Sequence, residues 1–152
     1  MKKILYVGVE VSYNDSLTDE IRFTYLDNLY FDTANNLLTA LTKLRRTGVS
    51  CLLFDDISLG REQIFSCEET NDNRTTVIAL IKTLSENKKF DPKKIVVKMS
   101  RPGRYFEKYR TELFEQRKKE LINYGVATEN IFEKPASNKK VADAVVKILN
   151  NQ

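Results

Sequence analysis

The sequence predicts an α/β fold in three layers, a five-stranded parallel sheet covered by helices on both faces. Three observations predict it. Short strand-like runs recur at Ile4 to Val9, Leu29 to Thr33, Ser50 to Phe54, Lys94 to Met99 and Ile131 to Glu133, and brief apolar runs of this kind belong to strands buried on both sides. The segments between them carry apolar residues three and four apart, the spacing of amphipathic helices. With 152 residues, five Gly, three Pro and no repeat or low-complexity tract, the chain reads as one continuous domain over 1–152. Alternating strands and helices need crossover connections, which are right-handed and produce a parallel sheet.

The elements follow in order. After the first strand, Ser16 with Asp19 resembles a capping box, and Leu17, Ile21 and Tyr25 fall four apart, which predicts a helix over 16–28. A hairpin is the rival reading there, because Ile21, Phe23 and Tyr25 also alternate. Leu37, Leu38, Leu41 and Leu44 make one face of a helix that closes at Gly48 after Arg45 and Arg46. The third strand ends in Asp55-Asp56, and Ile57 to Thr75 is polar and irregular, long for a loop in a compact domain. Val77, Ile78, Ile81 and Leu84 mark a helix, Tyr105 to Tyr124 a longer one ended by Gly125, and Ser137 caps a last helix buried through Val141, Val145, Ile148 and Leu149.

Composition narrows the chemistry. There is no histidine, which removes Ser-His and Cys-His nucleophiles, histidine metal sites and imidazole acid–base work. Cys51 and Cys67 lack CxxC spacing, so no zinc or dithiol motif is supported, and Cys51 in its apolar run reads as core. The formal charge is +4, compatible with an acidic partner but no signature of nucleic-acid binding. No run approaches the ~18 apolar residues of a membrane span, and Met1-Lys2-Lys3 before a short apolar stretch is not a signal peptide. A cytoplasmic location and no membrane partner are expected.

In open parallel sheets, sites lie beyond the carboxyl ends of the strands. That rule selects Glu10 after the first strand, Asp55 and Asp56 after the third, Ser100 after the fourth and Lys134-Pro135 after the fifth. In this order the residues resemble the receiver domain of two-component response regulators. Ala34-Asn35-Asn36-Leu37-Leu38-Thr39-Ala40-Leu41 is similar to the family's Ala-x-x-Gly-x-Glu-Ala-Leu at its Ala, Ala and Leu. Leu52-Leu53-Phe54-Asp55 resembles the strand that delivers the phosphoacceptor. Tyr124-Gly125-Val126-Ala127 leading to Ile131-Phe132-Glu133-Lys134-Pro135 looks like the family's Gly-Ala-x-x-x-x-x-Lys-Pro ending.

The resemblance implies a flavodoxin-like, receiver-like fold and a stand-alone signal transduction module working through protein–protein interaction. It also implies a phosphoacceptor aspartate that takes its phosphoryl group from the phosphohistidine of a partner histidine kinase, with Mg²⁺ and a lysine neutralising the equatorial oxygens. Counting from Ala34 puts the phosphoacceptor on Asp55, whereas Asp56-Ile57-Ser58-Leu59-Gly60 better matches the family's Asp-Ile-x-x-Pro-Gly, so Asp56 is the alternative. Lys134 and Ser100 would contact the phosphate, and the Lys134-Pro135 bond would be cis.

The sequence also departs from that family. Where receivers carry two adjacent acids to hold Mg²⁺, this chain reads Val7-Gly8-Val9-Glu10. The metal would depend on Glu10, Asp55 or Asp56 and waters, with affinity reduced by the lower charge. Ile131 stands where the family commonly has a switching aromatic, and the segments after Asp56 and after Ser100 are each longer by ~10–15 residues than such folds need. The chain therefore reads as a degenerate or atypical receiver with an enlarged segment after strand four.

In that segment, Arg101-Pro102-Gly103-Arg104-Tyr105-Phe106 offers Arg101 and Arg104 as anion-binding candidates. The helix beyond interleaves Lys108, Arg110, Arg117, Lys118 and Lys119 with Glu107, Glu112, Glu115 and Glu120 beside an apolar stripe, and since receivers use the fourth helix and fifth strand as their partner-facing surface, the resemblance implies that this enlarged helix is a docking or homodimer platform. The competing class is a metal-dependent phosphoryl-transfer or nucleic-acid-processing enzyme using Glu10 and Asp55/Asp56, with Arg101, Arg104 or Lys134 on the phosphates. A nucleotide-binding domain is less well matched, since neither GxGxxG nor a Walker lysine is present.

Overall fold

The computed structural model describes residues 1–46, 48–101, 103 and 106–152. Five strands, β1 (Lys2–Val7), β2 (Leu29–Ala34), β3 (Cys51–Phe54), β4 (Ile95–Met99) and β5 (Ile131–Glu133), form one sheet in the order β2-β1-β3-β4-β5. Every pairing is parallel. The helices are α1 (Ser16–Thr24), α2 (Leu37–Arg46), α3 (Thr76–Glu86), α4 (Glu107–Asn123) and α5 (Asn138–Asn150).

Alternation along the strands divides the core in two. Leu5, Val7, Leu52, Phe54, Ile95 and Val97 pack with α2, α3 and α4. Ile4, Tyr6, Cys51, Leu53 and Val96 pack with α1 and α5. The apolar strand patterns thus come from burial on both faces, as parallel sheets require. Cys51 is buried, and desolvation pushes its thiol pKa well up, which makes it a core residue and not a nucleophile.

Within 16–28 the chain forms a helix and not a hairpin, but the helix ends at Thr24, four residues short of the predicted end, with Tyr25 extended; Leu17 and Ile21 bury one face of it while Phe23 is 81% exposed. Its cap is Asp15, whose carboxylate accepts from Thr18 N at 2.8 Å, one residue before the Ser16 of the predicted capping box. In α2, Leu37 is buried and Leu41 and Leu44 pack partly buried against the same core, as predicted, whereas Leu38 faces solvent and Ala40 takes its place on the buried face. α4 buries only Phe114, Arg117 and Leu121, and Phe106 and Tyr109 at its start are exposed, so the expected apolar stripe covers the core with half its length. Tyr105, the predicted first residue of that helix, lies outside the described residues. Gly125 closes α4 with φ +104, a left-handed position where a Cβ would sit 2.5 Å from Pro92 Cγ. Ser137 caps α5 as predicted, accepting from Lys140 N.

The long connection after β3 is folded. Ile57 and Leu59 are buried, and Thr76 Oγ1 donates to Leu59 O. Thr70 is buried, donates to Ser66 O at 3.0 Å and accepts from Asn73 N at 3.2 Å. Asn71, Asp72 and Asn73 take left-handed φ angles, which Asn and Asp tolerate best among residues with a Cβ. The tip is pinned to α2, where Glu62 Oε2 accepts from Leu38 N at 2.8 Å, satisfying one of the amides that a helix start leaves without an internal partner.

Candidate functional site

Asp55 leaves the central strand β3 at its carboxyl end. Its N–H donates to Val7 O at 2.9 Å, so the ladder continues one residue past the strand and Asp55 shares the face of Leu53. Tyr6 on β1 and Lys98 on β4 share that face, and both reach the carboxylate. Lys98 Nζ lies 3.0 Å from Asp55 Oδ1, and Tyr6 OH donates to the same oxygen at 3.3 Å. The other oxygen, Oδ2, is 3.3 Å from Lys134 Nζ. Lys134 is delivered by β5, with its N–H on Met99 O at 3.0 Å, and the Lys134-Pro135 bond is cis.

Asp56 stands beside this group. Its Oδ1 accepts from Ile57 N at 2.7 Å, its Oδ2 accepts from Ser100 Oγ at 2.9 Å, and Lys134 Nζ lies 3.5 Å from Oδ2. The predicted set Asp55, Asp56, Ser100 and Lys134 is therefore brought together, with the Ser100 hydroxyl directed to Asp56. Two carboxylates face two ammonium groups, and the cluster is neutral in itself.

Burial by itself would raise the Asp55 pKa, but the hydrogen bond and charge of Lys98, followed by those of Lys134, outweigh it and hold the carboxyl below the usual aspartate range. Tyr6 moves the other way: burial first, then the negative charges of Asp55 and Asp15, raise its pKa far above that of an ordinary phenol. It serves as a neutral donor.

Sequence reasoning missed Lys98 and Tyr6. A lysine inside Ile95-Val96-Val97-Lys98-Met99 is the available signal, since a strand covered on both faces buries a charge only with a partner. Tyr6 gives a weaker one, because its hydroxyl in an otherwise apolar strand also needs a partner.

Other candidates lie elsewhere. Glu10 is exposed in the turn after β1. Arg101 forms ion pairs with Glu107 at the start of α4 and Glu133 at the end of β5, so its guanidinium links those elements instead of presenting a free anion site. Arg104 lies outside the described residues.

The residues present do not fit a divalent metal of the receiver kind. Among the described residues, no three Cys, Asp or Glu side chains converge as a metal site, so Glu10, Asp55 and Asp56 do not form the oxygen cluster the sequence allowed. Gly8 has no room for an acid either: a Cβ there would lie 2.7 Å from Asp55 Cβ and 2.9 Å from Val11 Cγ1. Both oxygens of Asp55 already face ammonium groups.

Solved structures similar to this one share its architecture from end to end. The receiver domain of a Francisella response regulator covers 99% of this chain and 98% of its own at TM-score 0.62 and 14% identity. A signal receiver domain of a two-component histidine kinase from Clostridium thermocellum covers 97% of each chain at 0.63 and 10%. A CheY-like receiver domain protein from Methanospirillum hungatei covers 99% and 95% at 0.61 and 16%.

The chain has the receiver-domain fold. No family model and no curated protein matches the sequence. Asp55, Ser100 and Lys134 stand at the carboxyl ends of β3, β4 and β5, as predicted, and Lys98 is a second cation beside them. Among the described residues no helix is long and apolar enough to cross a membrane.

Proposed function

We propose that this chain is a receiver-type signalling module that works through protein–protein contacts and keeps Asp55 as an unphosphorylated, lysine-clamped carboxylate. The observation that carries this reading is the pairing of both Asp55 oxygens, at 3.0 Å from Lys98 and 3.3 Å from Lys134. A nucleophilic carboxylate needs a free lone pair on an in-line path to phosphorus and a cation placed to receive charge on the equatorial oxygens. Here both cations sit on the carboxylate itself, with Oδ1 also taken by Tyr6 and Oδ2 beside Lys134, which lowers its nucleophilicity and places the cations away from an incoming phosphoryl group.

A contact role is supported by α4, whose first turns expose Phe106 (86%) and Tyr109 (63%), aromatic residues of the kind that anchor protein interfaces. The expected partner is another signalling protein. The basic residues of α4 alternate with glutamates and Arg101 is already paired with two of the chain's own acids, an arrangement that supports a protein partner over nucleic acid. Among the described residues no third acid joins Asp55 and Asp56, which leaves the metal-dependent enzyme reading with less support.

The test is incubation with acetyl phosphate and Mg²⁺, followed by intact mass measurement of the native protein and Asp55→Asn. Neither should gain a phosphoryl group. A gain in the native protein that is lost in Asp55→Asn overturns the unphosphorylated reading and makes Asp55 a phosphoacceptor for a histidine kinase.

A further inference from the structure

Lys98 is the feature of the centre that the receiver resemblance does not account for. It is a lysine in the middle strand of one half of the sheet, its side chain 12% exposed. Its backbone is fixed on both sides, since β4 pairs with β3 through Phe54↔Val97 and with β5 through Lys98↔Phe132. The ammonium cannot leave Asp55 by a loop movement, because it sits on a strand and not on a loop. Just after β1, Gly8 leaves no room for a side chain by its approach to Asp55 and Val11. One change supplies a positive charge and the other removes the place for a negative one, and they meet at the same carboxylate.

We propose that the Lys98 ammonium is the resident cation of the Asp55 centre and excludes divalent metal from it. A dication approaching Asp55 meets two ammonium groups already on its oxygens, and like charges at such separations in a partly buried site repel strongly. It also finds too few free carboxylate oxygens to replace the water it must shed, and small hard cations dehydrate reluctantly. Lys98 thus neutralises Asp55 without exchange with solvent ions, and the centre holds one charge state at any magnesium concentration. This inference rests on the charge geometry and is separable from the phosphorylation reading, because metal occupancy and phosphoryl transfer are measured independently.

The probe is Mn²⁺, whose unpaired electrons broaden nearby amide resonances, added stepwise to the full ¹⁵N-labelled chain. In the native protein the amides of residues 8–10, 54–56 and 98–100 should keep the same relative intensity as the rest of the sheet. In Lys98→Met, which keeps similar bulk and removes the charge without adding an oxygen ligand, those amides should lose intensity at clearly lower Mn²⁺ than in the native protein, with Lys98→Gln as a second neutral variant whose shorter side chain retains a donor. Saturable broadening centred on Asp55 in the native protein overturns the proposal without any variant. So does an unchanged Mn²⁺ response in both folded variants, since Lys98 would then not be what excludes the metal.

Discussion

Two aspartates in this chain each face two lysines, and only one of them lies at a site. Asp32, in the edge strand β2, is 3.4 Å from Lys3 on β1 and 2.5 Å from Lys43 on α2, and its side chain is 11% exposed. Asp55 is 3.0 Å from Lys98 and 3.3 Å from Lys134, with 28% exposure. The charges are the same and the surroundings differ. The Asp32 group lies within the ladder and ties α2 to the sheet, with Lys43 also donating to Thr33 O at 2.6 Å. The Asp55 group gathers at the carboxyl edge, where β3, β4 and β5 also deliver a second carboxylate and a hydroxyl. A paired charge alone does not single out a candidate centre; its place at the open edge of the sheet does.

Removing the more buried carboxylate should have the larger effect. Asp32→Ala is expected to cost about 2–3 kcal/mol, below the full penalty for breaking a deeply buried pair because Lys43 retains solvent access, and to lower Tm by roughly 5–10 °C. Urea unfolding checks it. A loss no greater than that of Asp55→Asn would show that the two groups are equivalent structural pairs.

Asp55→Asn should cost less, about 1–2 kcal/mol, since the amide oxygen still accepts hydrogen bonds and the site is wetter. Its pH dependence sharpens the comparison. A carboxyl whose pKa is lower folded than unfolded adds stability above the unfolded value and loses it as pH falls through the folded value. Asp55 is held below the ordinary 3.8 by its lysines, so the difference in unfolding free energy between native and Asp55→Asn should be full above about pH 5 and shrink as acid carries the pH below 3.8. Asp32, lowered from the same 3.8 chiefly by Lys43 against its own burial, should behave alike under Asp32→Asn. A difference that grows on acidification would contradict the pairing.

The smallest expected effect lies outside both groups. Glu62→Ala should remove about 0.5–1 kcal/mol by leaving Leu38 N without its cap, and should speed amide hydrogen exchange over 57–75 while leaving the Asp55 edge unchanged. Exchange mass spectrometry separates the two regions.

Much of this arrangement was legible in the residues. Apolar runs and helical spacing located the strands and helices, and the edge rule selected Asp55, Asp56, Ser100 and Lys134, which the fold gathers, along with Glu10, which it leaves exposed in the turn after β1. What stayed hidden depended on contacts distant in sequence. That Lys98 meets Asp55 follows from a sheet order that places β3 beside β4, and nothing local to residue 98 states the partner. The same holds for Arg101, whose position after β4 suggested an anion site until Glu107 and Glu133 were seen to occupy it. The hairpin alternative at 16–28 persisted because Ile21, Phe23 and Tyr25 satisfy both periods, and only the burial of Leu17 and Ile21 decides between them.

The crowding at Gly8 has a consequence for how this chain can change. An acid cannot be introduced there by one substitution without displacing Val11 or Asp55. A carboxylate at position 8 therefore needs both a smaller residue at 11 and a shift of the backbone that carries Asp55, because the closer of the two contacts is to the Asp55 Cβ. An engineer seeking a metal-gated version would have to move the end of β3 away from residue 8 as well as shorten Val11, and bring in the acid last.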